Sequence, residues 1–132
     1  SLVAGLAKIK ENIDSGTFEA VQFSGVEALR NGRKSTEEMR KIYRSRRDLL
    51  VEGLRKAGFD AQAPGGAFYL WLKVGGSSID FADDLLGRGK IVVTPGVGFG
   101  PSGEGFIRFS LTIGEERIKE AIGRINKLRG KN

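Results

Sequence analysis

The residue best suited to chemistry is Arg108, in the run Phe106-Ile107-Arg108-Phe109-Ser110-Leu111. Read as a strand, this run sends Ile107, Phe109 and Leu111 to one face and Arg108 to the other, between Phe106 and Ser110. An arginine among so many apolar residues is partly desolvated, and its N–H donors then call for an anionic partner. A planar guanidinium grips a carboxylate with two parallel hydrogen bonds, which an ammonium cannot do. From the residues alone two readings stand. Arg108 is either a ligand anchor or an arginine on an open sheet face or in a structural ion pair.

Other chemistries are closed off by composition. The chain has no Cys and no His, which excludes Ser-His-Asp and Cys-His catalysis and argues against a zinc site. The loop Gly98-Phe99-Gly100-Pro101-Ser102-Gly103 satisfies G-x-G-x-x-G on paper. A dinucleotide site needs a helix directly after that motif, to place an N-terminus under the pyrophosphate. Here a strand follows, and Pro101 removes one of the backbone donors. The loop is not read as a nucleotide site.

These residues must be positioned by one domain's worth of elements, since 132 residues suit a single core. Ser1–Ile13 reads as a helix with Leu2, Leu6, Ile9 and Ile13 on one side. A second helix fits Phe18–Leu29, with Phe18, Val21, Gly25 and Leu29 aligned, and stops at Asn31-Gly32. A third and longest helix is expected from Ser35, with Ser35 and Glu38 forming a capping box. Its inner face is Met39, Ile42, Tyr43, Leu49, Leu50, Leu54 and Ala57, and Gly58 ends it. Phe59–Gln62 reads as a short strand and Ala67–Lys73 as a longer one. A helix over Ile79–Arg88, the segment Lys90–Val93, the Gly-rich loop 94–105 and the strand Phe106–Leu111 follow. The helix Glu115–Arg129 closes the order, with Thr112 and Glu115 as a second capping box. The expected fold is α/β (α+β, two-layer), a small sheet of three or four strands with helices on one face, preceded by N-terminal helices.

The net charge of +6 is concentrated. Between Arg33 and Lys56 nine basic residues stand against four acidic ones. Without interleaved aromatics for base stacking, and with Asp48 and Glu52 interrupting the stripe, the segment reads as a solvated helix face, with no nucleic acid as partner. No apolar run is long enough for a membrane span, so no membrane partner is expected and a cytoplasmic location is the default. The chain begins at Ser1 without Met, inside an amphipathic helix with no cap ahead of it, and is expected to be a piece of a longer protein.

Four segments in register carry a resemblance. Pro64-Gly65-Gly66-Ala67-Phe68-Tyr69, then Val93-Thr94-Pro95-Gly96 with Phe99-Gly100, then Phe106-Ile107-Arg108-Phe109-Ser110, and last Glu115-Glu116-Arg117-Ile118 resemble the C-terminal part of class I/II pyridoxal-phosphate-dependent aminotransferases. The resemblance covers essentially the whole chain. It implies that residues 1–32 belong to, or link from, a large domain, and that 33–132 form the small α/β domain. It also implies that Arg108 binds the α-carboxylate of an amino-acid substrate, with Gly66 and the 95–100 loop letting backbone approach the substrate. Asn12-Ile13-Asp14-Ser15-Gly16 is similar to the diaminopimelate-type branch, with aspartate and alanine types left open, and makes Asn12 and Ser15 further substrate-side candidates.

The parent enzyme implied is a dimer that uses pyridoxal 5'-phosphate and passes an amino group between an amino acid and a 2-oxo acid. The family's cofactor lysine and the groups around it have no matching motif here. No covalently bound cofactor is therefore expected on this chain, and alone it should be inactive. The rival reading is a stand-alone α/β ligand- or nucleic-acid-binding module.

Overall fold

Two short alternating runs build the sheet. In Tyr69–Lys73 and Phe106–Ser110 every second residue is a large apolar one that is buried, and its neighbours face away. The computed structural model describes residues 1–13 and 16–130. Its elements are α1 (Leu2–Ile13), α2 (Glu19–Asn31), α3 (Arg33–Lys56), β1 (Tyr69–Lys73), α4 (Ser78–Gly89), β2 (Thr94–Pro95), β3 (Phe106–Ser110) and α5 (Glu115–Arg129). The chain divides into two units, Ser1–Met39 and Arg40–Asn132.

In the second unit the strands form one antiparallel sheet of order β1-β3-β2, so the strand bearing Arg108 is central. Trp71 lies opposite Arg108 on one side, and Thr94 opposite it on the other. Leu70, Leu72, Ile107 and Phe109 point inward and are buried with Leu50, Val51 and Leu54 of α3, Leu85 of α4, and Ile118 and Ile125 of α5. Helices therefore cover one face, as the two-layer expectation required. Close packing of α3 on α5 depends on Gly53, where a Cβ would fall 2.4 Å from the Ile122 side chain. The helix ends with Gly58 at φ 85°, a conformation that favours glycine.

Several local expectations are corrected. Phe59–Gln62 is not a strand: the Ala61 carbonyl accepts from Arg55 Nε at 2.8 Å, so a side chain takes the place of a ladder partner. β1 starts at Tyr69 and not at Ala67, because Ala67 sits at φ 61° and cannot extend a strand. Neither capping box forms. α3 already begins at Arg33, which puts Ser35 inside the helix with its hydroxyl donating to the Gly32 carbonyl. Gly114 occupies the N-cap of α5, while Glu115 accepts from the Ser45 hydroxyl and Thr112 pairs with Ser110.

The basic stretch is also less uniform than a solvated face. Arg44 is exposed, but Arg46 donates to the Leu111 carbonyl and Arg47 to the Pro64 carbonyl. These are charge-assisted bonds that hold a loop and a strand end to α3. Arg47→Ala is expected to cost about 1–2 kcal/mol, and Arg44→Ala no more than about 0.5 kcal/mol. Urea unfolding of the two variants checks this, and equal midpoints would contradict it.

The first unit holds α1, α2 and the first turns of α3. Its apolar stripes lie where the periodicity placed them, yet Leu2, Leu6, Ile9, Ile13, Phe18, Val21 and Leu29 are all exposed, Leu2 at 95%. A stripe that regular is built to be covered.

Candidate functional site

The candidate site is the outer face of the sheet. Antiparallel register brings Tyr69, Trp71 and Lys73 of β1 alongside Ser110, Arg108 and Phe106 of β3. Arg108 is half-buried at the centre. Its guanidinium carbon lies 3.9 Å from the centre of the Tyr69 ring and 4.3 Å from that of Phe99. Tyr69 comes from the strand on one side, and Phe99 from the turn that leaves the strand on the other. Ring faces attract the cation but take none of its N–H donors. Among the described residues no carboxylate, carbonyl or hydroxyl accepts from Arg108. None of its nitrogens is buried without a partner, so the free donors reach solvent. A structural ion pair is therefore not what holds this arginine within the described residues.

The glycine-rich loop positions Phe99. Residues Gly96–Phe99 and Pro101–Gly103 form two short 3₁₀ turns folded against each other. A Cβ at Gly96 would fall 2.0 Å from the Gly103 carbonyl oxygen, and one at Gly103 the same distance from that of Gly96. These glycines let backbone pack on backbone, and a strand follows them, so the loop is not a phosphate cradle. Trp71 meets Phe99 edge-on at 5.2 Å and Phe106 at 6.4 Å, which supports the ring from the sheet side.

Glu104 ties this loop to the start of α4. One carboxylate oxygen accepts from the backbone N–H of Ser78 at 2.6 Å and of Gly105 at 3.1 Å. The buried Ser78 hydroxyl accepts from Val97 N–H. The two backbone N–H donors, Ser78 first, hold the Glu104 carboxyl below the ordinary glutamate range. A carboxyl whose folded pKa is depressed adds stability above its unfolded pKa and loses it as pH falls through the folded value. Glu104→Gln is thus expected to lower the unfolding midpoint near neutral pH, and the gap to the unaltered protein should close in acid. Thermal melts over a pH series read this out; a gap that stays constant into acid would refute it.

Of the other sequence candidates, Gly66 lies exposed in the turn before β1, and a Cβ there would meet nothing within 4 Å. Asn12 is exposed on α1, its amide donating to the Lys8 carbonyl, and belongs to the other unit. Ser15 lies outside the described residues. The sequence reading missed Tyr69, Phe99 and Trp71 as neighbours of Arg108. Alternation in Ala67–Lys73 pairs Tyr69 with Trp71 on one face, but only the strand register shows that this face is Arg108's.

The donor set suits an anion with two adjacent oxygens. Tyr69, Trp71, Lys73, Phe106, Arg108 and Ser110 include no acid to face a pyridine nitrogen, and Lys73 is exposed, opposite Phe106. The family model described as aminotransferase class I and II matches residues 1–125. The chain belongs to the class I and II aminotransferase family. Among its relatives, the LL-diaminopimelate aminotransferase of Maridesulfovibrio salexigens is 50% identical over 97% of this chain. That of Moorella thermoacetica is 42% identical over 98%. The chain spans 34% of the length of each. The solved L,L-diaminopimelate aminotransferase of Chlamydomonas reinhardtii superposes with a TM-score of 0.85 at 32% identity, covering 96% of this chain and 32% of that one. An aminotransferase structure from Staphylococcus aureus gives 0.85 at 29% identity, covering 97% and 35%. Aminotransferases of this family use pyridoxal phosphate.

Proposed function

We propose that the protein carrying this chain is a pyridoxal-phosphate-dependent aminotransferase in which Arg108 anchors the α-carboxylate of the substrate. The observation that carries the proposal is the Arg108 guanidinium itself, with free donors at the centre of an open sheet face between two aromatic rings. A charged donor fork held there suits an anion with two adjacent oxygens, such as a carboxylate. Its role is orientation: fixing the carboxylate sets where the neighbouring Cα sits. Pyridoxal phosphate, when bound, supplies the electron sink for amino transfer; the groups that hold it come from outside this face. The names of the relatives support LL-diaminopimelate as the amino-acid partner, exchanged against a 2-oxo acid.

Residues 1–32 are proposed to belong to the large domain of that enzyme, a reading the exposed stripes of α1 and α2 support. Residues 33–132 make the small domain. Asn12, Ser15 and Gly66 are proposed on the substrate side, and the working enzyme is a cytoplasmic homodimer. This chain alone is inactive. The full-length protein with pyridoxal phosphate should therefore pass an amino group from LL-diaminopimelate to a 2-oxo acid. The 132-residue chain, incubated with pyridoxal phosphate and reduced with borohydride, should show no lysine labelled in stoichiometric yield. Failure of transfer by the full-length protein overturns the proposed activity, and stoichiometric labelling of one lysine in the short chain overturns its inactivity.

A further inference from the structure

The two rings beside Arg108 have a function of their own. A free arginine side chain samples many rotamers, and ordering it carries an entropy cost. On this face the cost is met before any ligand arrives. Tyr69 from β1 and Phe99 from the turn after β2 flank the guanidinium at 3.9 and 4.3 Å. Each ring is itself held. Tyr69 lies 4.6 Å from Phe68, which lies 5.8 Å from Tyr43 of α3. Phe99 is buttressed by Trp71 at 5.2 Å. The guanidinium is thus fixed by contacts that consume no hydrogen-bond donor, so every donor it has remains available to a ligand. An acid in the same place would fix it equally well but would compete with that ligand for the N–H groups.

We infer that Tyr69 and Phe99 are positioning residues that clamp the Arg108 guanidinium through their ring faces and hold it ready for a carboxylate. This rests on the reading of Arg108 as the carboxylate anchor. The clamp depends on aromatic faces and not on the Tyr69 hydroxyl, for which no hydrogen-bond partner is found among the described residues. Loss of either ring frees the arginine without removing its charge, so it weakens ground-state binding of the carboxylate and leaves the later steps largely intact.

The test uses the full-length protein with pyridoxal phosphate, and heptanedioate, the dicarboxylate with the carbon chain of diaminopimelate, as the probe. Tyr69→Leu and Phe99→Leu should each raise the heptanedioate Kd and the KM for LL-diaminopimelate about 5- to 10-fold, with kcat changed less than about twofold. Tyr69→Phe should stay within about twofold of the unaltered protein on both measures. Arg108→Lys is run alongside to separate the two readings. If it raises the Kd while both Leu variants leave it unchanged, the clamp is wrong and the anchor stands. If it leaves the Kd unchanged, the anchor falls and the clamp with it. An effect of Tyr69→Phe as large as that of Tyr69→Leu would assign the role to the hydroxyl and overturn the clamp. Should Tyr69→Leu fail to fold, Phe99→Leu decides the question, because Phe99 is 51% exposed on a surface turn and its loss should not unfold the domain.

Discussion

Arg108→Lys in the full-length protein is expected to lower kcat/KM for the amino-acid substrate by about 10²-fold or more, roughly 3 kcal/mol of lost transition-state stabilisation. Lysine keeps the positive charge, so the loss isolates what geometry contributes. An ammonium offers a point charge on a flexible stem, whereas the guanidinium presents a planar fork that matches both carboxylate oxygens. It also forfeits the contact with the Tyr69 and Phe99 faces that holds the group in place. Thermal stability and cofactor absorbance should stay close to those of the unaltered protein, because Arg108 pairs with no acid among the described residues and its proposed role is toward substrate. A variant that loses several kcal/mol of stability while keeping its kcat/KM would mark Arg108 as structural.

Gly96→Ala is expected to be, with Gly103→Ala, among the most damaging single-methyl changes in the second unit. The added Cβ would sit 2.0 Å from the Gly103 carbonyl oxygen and 2.7 Å from that of Phe106. Both are backbone atoms, so no rotamer change relieves the clash and the two 3₁₀ turns must separate. Overpacking of this kind costs about 3 kcal/mol where the main chain has to move. The damage reaches function as well, since Phe99 is carried by the same turn. Gly98→Ala is the matched control, because a Cβ there meets nothing within 4 Å, and it should change stability by no more than about 0.5 kcal/mol. Urea unfolding of the pair gives the comparison, and equal midpoints would show that the loop is not packed as described.

What the sequence made legible follows the strength of each physical signal. The aligned apolar residues Ile118, Ala121, Ile122, Ile125 and Leu128 mark a helix over Glu115–Arg129, and α5 forms over those residues. The sheet and its helical cover were legible from two alternating runs set among amphipathic segments. Arg108 stood out because one charge in an apolar strand is conspicuous whatever its neighbours are. Weaker signals failed where a long-range contact overrode a local one. Arg55 captured the Ala61 carbonyl and replaced a strand partner. The positive φ of Ala67 shortened β1. Both Ser/Thr-x-x-Glu runs match a cap in spacing, but one falls inside α3 and Gly114 holds the N-cap position of the other. Arg47 could not be told from Arg44 by charge patterning, because the carbonyl it holds lies 17 residues away in the chain. The aromatic pair was hidden for a similar reason. Tyr69 and Phe99 meet only through Arg108, and that meeting depends on a strand register that hydrophobic patterning does not specify.

A crystal structure of the full-length protein with LL-diaminopimelate or heptanedioate bound would show whether Arg108 receives the substrate carboxylate. Two oxygens of one carboxylate should lie about 3 Å from two nitrogens of Arg108, in plane with the guanidinium, with Tyr69 and Phe99 still flanking it. A ligand whose carboxylates are held by other residues, with Arg108 paired to an acid of the protein itself, would make Arg108 structural.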